Sequence, residues 1–246
     1  MLIAILSDIH ANREAFEACL DAAVKAGAER FVLLGDIVGY GADPAWCVDK
    51  ARELAAAGAL CVRGNHDEAV SGGTVSLNGA ARAAIDWTRG KLDRNQIAFL
   101  AQLPLLIEDD DRIYVHADAS SPERWRYVTD SACATLHFDA TKQRVGFCGH
   151  VHVPALYTRA PQGRVTPFTP ISQTPVPLLP QRRWLAVMGA VGQPRDGNPA
   201  AAFGLYETQA SELRFMRTAY DLEAAAAKIR AAGLPERLAA RLSAGR

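Results

Sequence analysis

Five of the six histidines in the chain sit in short clusters with carboxylates, amides and glycines: Asp8-x-His10, Gly35-Asp36, Gly64-Asn65-His66-Asp67, His116 and Gly149-His150-x-His152. Imidazole nitrogen combined with carboxylate and amide oxygen is the donor chemistry of borderline and hard divalent cations. The donors suffice for two ions, and each cluster ends a short apolar run, which places it where a strand gives way to a loop. Such a set reads as a dinuclear metallohydrolase. No fragment says so alone, because Gly-Asp and Gly-Asn are ordinary strand-end turns and an isolated histidine is most often a core or surface side chain. The joint pattern carries the reading. His137 belongs to no cluster and is assigned to a helix over residues 132–139.

Periodicity indicates the elements that position these groups. Leu2 to Leu6 is a continuous apolar run of the kind a doubly covered strand shows, and it delivers Asp8 and His10. A helix follows, capped by Asn12, with Ala15, Phe16, Cys19, Leu20, Ala23 and Val24 as its apolar stripe and Gly27 at its stop. Phe31 to Leu34 is a second strand ending at Asp36. Asp43 and Pro44 supply the cap and first position of a second helix, and Leu60 to Val62 is a third strand that runs into Asn65. This alternation predicts parallel strands with their carboxyl ends on one side, where open α/β sheets bind ligands.

Residues 78–102 read as a helical cover broken near Gly90 and restarted at Asp93. Short strands return before His116 and His150. The stretch from Pro161 to Pro180 reads as an irregular surface loop. The hairpin spacing of residues 202–207 and 212–218 predicts a second sheet of mixed or antiparallel pairing. The chain is expected to form a single domain over residues 1–246, with 221–246 as a C-terminal helical tail broken at Gly233 and Pro235.

Composition narrows the function classes. Lys and Arg number 27 against 27 Asp and Glu, and 49% of residues are hydrophobic, which excludes a disordered chain or a polycation. There is no strong nucleic-acid signal, since backbone binding needs clustered Lys and Arg. Five cysteines, odd in number and without any C-x-x-C, suit reduced thiols and a cytoplasmic location. No segment is expected to cross a membrane. The alanine-rich tail is read as a packing helix, with a dimer contact as its alternative.

Taken together, Asp8-x-His10, Gly35-Asp36-Ile37-Val38-Gly39, Gly64-Asn65-His66-Asp67, His116 and Gly149-His150-Val151-His152 resemble the signature of the calcineurin-like metallophosphoesterase superfamily, in its compact bacterial and archaeal phosphodiesterase-like branch. The resemblance covers the chain to about Thr218. It implies a four-layer α/β/β/α sandwich of two mixed β-sheets flanked by helices, with metals at the strand ends. It also implies Asp8, His10 and His152 on one ion, Asn65, His116 and His150 on a second, and Asp36 bridging both. A bridging hydroxide would be the nucleophile, His66 would assist the leaving group, and Asp67 would fix the orientation of His66. The cofactors expected are two divalent ions, Mn or Fe before Zn, Co or Ni.

Two further residues are substrate-binding candidates. Arg195, in the loop Gly192-Gln193-Pro194-Arg195-Asp196-Gly197, could bind phosphate bidentately, and Tyr40 could stack on a base or aryl group. Val187-Met188-Gly189-Ala190 precedes that loop where the family pattern carries an Asn-Pro-Gly-Ser type run. The expected activity is metal-dependent hydrolysis of phosphodiesters in a small phosphate ester or nucleotide. The alternatives are a phosphomonoesterase, a dinucleoside polyphosphate hydrolase, or a catalytically weak nucleotide-binding regulatory protein.

Overall fold

The computed structural model describes residues 1–246. Strand β1 (Leu2–Leu6) serves two layers at once. Ile3 and Ile5 pack between the two sheets of the molecule, while Ala4 and Leu6 meet the helices outside. It pairs in parallel with β2 (Arg30–Leu33), and β2 with β3 (Leu60–Cys61). Helices α1 (Arg13–Lys25) and α2 (Pro44–Ala56) form the crossovers. Asn12 caps α1 by accepting the Ala15 N–H at 3.1 Å.

Asp43 precedes α2 without capping it. Pro44 removes one of the donors a cap would satisfy, and the Asp43 carboxylate instead accepts from Lys228 Nζ at 2.8 Å. After the short helix α3 (Asn65–Val70), residues 78–102 divide at Gly90 into α4 (Gly79–Arg89) and α5 (Arg94–Gln102), each with a side-chain cap.

The second sheet begins with β4 (Leu106–Asp109), β5 (Arg112–Val115) and β6 (Val145–His152). Between β5 and β6, helix α6 (Ser131–Ala140), which carries His137, covers its outer face through Ala134 and Phe138. Strands β7 (Ala155–Arg159), β8 (Val165–Phe168) and β10 (Arg183–Gly189) complete the order β4-β5-β6-β10-β7-β8, with β5, β6 and β10 parallel. Phe147, Tyr114, Trp184 and Met188 interleave with Ile3, Ile5, Val32 and Leu34 of the first sheet to form the inter-sheet core.

Two sequence expectations need correction. The hairpin β11 (Ala201–Glu207) and β12 (Glu212–Thr218) does not build the second sheet; β11 pairs antiparallel with the free edge of β1, Ile3 opposite Tyr206. The edge of β1 left open by β2 is apolar on both faces and accepts a strand whose Tyr206 joins the inter-sheet core while Phe203 and Leu205 face the helices. The stretch from Pro161 to Pro180 is not wholly irregular either. It contains β8 and β9 (Pro175–Pro177), edge strands of the two different sheets. Pro is compatible with an edge because only one side of such a strand needs donors.

Helices α7 (Leu222–Ala231) and α8 (Glu236–Ala244) break apart at Gly233 and Pro235. Ala225, Ile229, Leu238 and Leu242 pack on Ala80, Ala81 and Ala84 of α4 and on Tyr40. No helix is long and apolar enough to cross a membrane.

Candidate metal centre

The singled-out donors converge at one end of the sandwich. Asp8 and His10 follow β1, Asp36 follows β2, Asn65 and His66 open α3 after β3, His116 follows β5, and His150 and His152 end β6. The two sheets meet there so closely that a Cβ on Gly149 would lie 1.8 Å from Ser7 Oγ and 2.6 Å from Asp8 Oδ2. Only a glycine lets β6 approach the end of β1 at that distance. Asp8, His10, Asp36, His150 and His152 have φ of 55°, 50°, 52°, 66° and 64°, the left-handed region that costs a non-glycine residue about 1–2 kcal/mol. Strain at five adjacent ligand candidates is held by the surrounding sheet ends and marks a functional site.

Hydrogen bonds fix how each ring presents its nitrogens. His10 Nδ1 donates to the Val38 carbonyl (3.2 Å) and His152 Nδ1 to that of Gln193 (2.6 Å), so both Nε2 atoms keep a lone pair; they face each other at 3.1 Å. His116 Nδ1 donates to the Leu34 carbonyl (2.7 Å) and His150 Nε2 to that of Trp125 (3.0 Å). Their other nitrogens, Nε2 and Nδ1, also face each other at 3.1 Å, with Asn65 Oδ1 3.1 Å from His116 Nε2. In the His10–His152 pair two lone pairs cannot hydrogen-bond to one another without a proton, and in the His116–His150 pair a protonated His116 supplies that proton from Nε2; at either pair a cation can take the proton's place. Donor atoms about 2.1 Å from one cation and at right angles lie about 3.0 Å apart, so both pairs have ligand spacing.

The carboxylates obey the same division. Asp8 Oδ2 accepts from Ser7 Oγ (2.7 Å) and the His150 N–H (3.0 Å), while Oδ1 has no donor and lies 3.2 Å from His152 Nε2. Asp36 Oδ1 accepts the His66 N–H (2.8 Å), leaving Oδ2 3.6 Å from His10 Nε2 and 3.4 Å from His116 Nε2. Asp36 Oδ2 therefore lies between the two nitrogen pairs, where a carboxylate shared by two cations must lie. Three groups of ligand atoms gather within 4.8 Å of one another: Asp8 with His10 and His152, Asp36 with His116 and His150, and His10 with Asp36 and His66.

Electrostatics agree with a cation site. Burial works to raise Asp8 and Asp36, yet the imidazoles of His152 and His116 prevail and hold both carboxyls well below the usual range. Burial keeps His10 neutral and pushes His150 down to about 3. At His116, burial is outweighed by the Asp36 carboxylate and the pKa rises to about 9. The centre thus presents two ionised carboxylates that attract positive charge.

His66 lies at the floor of an open cavity of about 260 Å³ that reaches Asp36, Asn65, His150 and His152. Its ring packs on Tyr40 (centroids 4.4 Å) and His10 (4.9 Å), its Nδ1 has no partner, and burial lowers its pKa. Asp67 does not contact that ring. Its Oδ1 accepts from the Ile37 and Val38 N–H groups and its Oδ2 from Gly64, because three orphan backbone donors at the start of α3 and after Asp36 surround it. Burial and the Asp36 charge raise Asp67 to about 7. Asp67 therefore braces the Asp36 loop and orients His66 only through the backbone.

Tyr40 is 8% exposed, with His10, His66 and the Arg195 guanidinium (5.7 Å) packed around its ring. Those neighbours cover most of the ring, and what remains of it lines the cavity. Arg195 lines the cavity and donates to Gln193 Oε1 at 2.8 Å. Sequence reasoning missed Trp125 and Tyr127 on the opposite wall. Tyr127 stacks on His150 at 4.0 Å and 12° while remaining 49% exposed, and the Trp125 carbonyl fixes the His150 tautomer. The one signal available was two aromatics within a polar loop, at no distinctive spacing.

Comparison with known proteins gives a consistent result. The model of the calcineurin-like phosphoesterase superfamily domain matches residues 1–211. An uncharacterised protein of Methanocaldococcus jannaschii is 34% identical over 252 residues, covering 100% of this chain and 98% of the relative. The crystal structure of a metallophosphoesterase from Sphaerobacter thermophilus is 37% identical with a TM-score of 0.89, covering 100% and 99% of the two chains. A hypothetical protein from Pyrococcus horikoshii shares the fold at 17% identity, with a TM-score of 0.80 over 100% and 98%.

Proposed function

The chain belongs to the calcineurin-like phosphoesterase superfamily and is a metal-dependent phosphoesterase; from that premise we propose that it hydrolyses phosphodiesters at the centre around Asp36. The observation that carries this reading is the pair of facing imidazole sets joined by the single oxygen Asp36 Oδ2. Asp8, His10 and His152 would hold one cation and Asn65, His116 and His150 the other, with the Asp36 carboxylate within reach of both sets. Two divalent cations held there supply Lewis acidity and acidify water near neutral pH. The mixed nitrogen and oxygen set suits Mn or Fe, with Zn, Co and Ni compatible.

The chain's own residues do the rest. His66 belongs to the cavity lining with its Nδ1 buried against Gly39, and its Nε2 delivers a proton to the departing ester oxygen. Tyr40 packs against that ring and limits its rotation. Arg195 binds a phosphate oxygen. The wall of Trp125 and Tyr127 offers an organic ester substituent a place in the cavity.

Hydrolysis of a bis-aryl phosphate and of the matching monoester by metal-stripped protein, before and after Mn²⁺ is restored, tests the reading. Turnover that returns with Mn²⁺ and favours the diester is expected. Faster monoester cleavage would overturn the diester preference, and activity indifferent to metal would overturn the centre itself.

A further inference from the structure

On one side of the sandwich the two sheets end in the edge strands β8 and β9, and an apolar hole opens to solvent between them. It has a volume of about 210 Å³ and is walled by Leu156, Phe168, Pro170, Val176 and Trp184. Leu156, Val176 and Trp184 also pack in the inter-sheet core, so the hole is a gap at the margin of that core. Trp184 Nε1 already donates to the Leu179 carbonyl at 3.1 Å, and the other walls carry no polar side-chain atom. Thr169 and Thr174, both exposed, complete the rim. An apolar cavity of about 150 Å³ admits a benzene-sized group, so this one has room for a branched aliphatic side chain.

Beside the hole stands a knob. Ile171 belongs to its rim yet is 71% exposed, more than any other large apolar side chain of the protein. Its turn is fixed rather than loose. The Thr174 N–H donates to the Ile171 carbonyl at 3.2 Å, the Gln173 N–H donates to the Phe215 carbonyl of β12 at 2.8 Å, and Gln173 holds a φ of 63°. A left-handed residue other than glycine costs free energy, and here the strain keeps an isoleucine in water. Phe168 and Leu179, also exposed, extend the patch. Apolar surface gathered in this way marks an interaction site.

Charge and backbone narrow the occupant. No charged residue occurs from Val165 to Gln181, although 22% of the chain is charged. A surface that meets its own copy across a two-fold axis sets each charge near the axis against a like charge, so an uncharged centre suits a second copy. Knob and hole on one face are self-complementary in shape as well. An added β-strand is a poor occupant, because Pro167 on β8 and Pro175 and Pro177 on β9 lack the N–H groups that would hold it. The C-terminal helices offer no rival face, since Ile229, Leu238 and Leu242 are already covered against α4 and Tyr40.

We propose that this face is a dimer interface between two copies of the chain, with each Ile171 entering the hole of the other copy across a two-fold axis.

Sedimentation velocity on the full chain tests it without reference to catalysis. Wild type is expected to be dimeric at about 10 µM, as a micromolar association requires. Ile171→Ala should raise the dissociation constant at least about tenfold, because each copy withdraws apolar atoms from a hole. Ile171→Glu should be monomeric while its far-UV circular dichroism and metal content match wild type. Should that variant fail to fold, Thr169→Glu at the exposed rim is expected to give the monomer instead. A dimer that Ile171→Glu leaves intact would overturn the interface. So would a monomeric wild type, and one that binds the apolar dye anilinonaphthalene sulfonate with one-to-one stoichiometry would give the hole to a small apolar ligand.

Discussion

Two regions of the molecule bury histidine, and they do so to opposite ends. At the sheet ends, His10, His116, His150 and His152 each donate one ring nitrogen to a backbone carbonyl and turn the other toward a nitrogen or carboxylate. On α6, His137 is as deeply buried, yet its Nδ1 accepts the Ala119 N–H at 3.2 Å and its Nε2 faces the backbone of Gly146 and the Leu185 side chain with no partner. Burial alone therefore does not make a ligand. What distinguishes the first region is backbone carbonyls that set the tautomer and carboxylates that share the space.

The sharpest way to break this contrast is at the shared oxygen. Asp36→Asn is expected to lower kcat by more than about 10³-fold and to weaken both cations together, since both positions lose the same charged ligand. Metal content after gel filtration and turnover measure this, and loss of one ion only would show that Asp36 serves a single site. His66→Ala should cost about 10²-fold in kcat while two cations remain bound. Turnover equal to wild type would remove His66 from the reaction.

A subtler change acts through the loop over His150. Asp118, fully buried, accepts from the Ser120 N–H at 2.7 Å and lies 3.8 Å from Arg126 Nε, so it anchors both sides of the Trp125 turn. Asp118→Asn is expected to weaken one of the two cations about tenfold through the Trp125 carbonyl, and a metal titration should show two affinities where wild type shows less separation.

The smallest effect on activity belongs to His137. Burial, with Asp118 partly opposing it and Arg183 adding to it, depresses its pKa from 6.5 to about 4. The unfolded chain then takes up a proton before the folded one. Stability from this residue is complete above pH 6.5 and is lost as pH falls toward 4, about 3 kcal/mol in all. His137→Asn, which keeps an acceptor for Ala119, should flatten the urea-unfolding free energy between pH 6.5 and 4 and leave two cations bound. A fall in cation content would mean that His137 belongs with His10, His116, His150 and His152.

Much of this contrast could be read from residues alone. The motif order picked out five histidines and set His137 apart, and apolar runs located the strand ends. What sequence could not carry was decided over long distances. The left-handed φ of Asp8 and His150 arises from the meeting of two sheets at Gly149. The role of Asp67 depended on which N–H groups the fold leaves unpaired around it, and Asp43 was diverted by a lysine 185 residues away. Hairpin spacing identified the pair β11 and β12 but not the edge it would join, because an apolar strand fits either sheet by composition. Trp125 and Tyr127 carried no periodic signal at all.

The antiparallel register that sets Leu2 opposite Glu207 also has a temporal meaning. During synthesis the N-terminal strand leaves the ribosome first, yet one of its edges stays open until some two hundred further residues have emerged. Contacts so distant along the chain form late, since loop closure must come before they add stability. The His152 ring is likewise steered by a carbonyl at Gln193, so the cluster of Asp8, His10 and His152 is complete only after most of the chain has emerged. A nascent chain arrested before that point would expose an apolar strand edge beside an unfinished cluster of acids and imidazoles, and metal acquisition by this protein becomes a late step of its biogenesis.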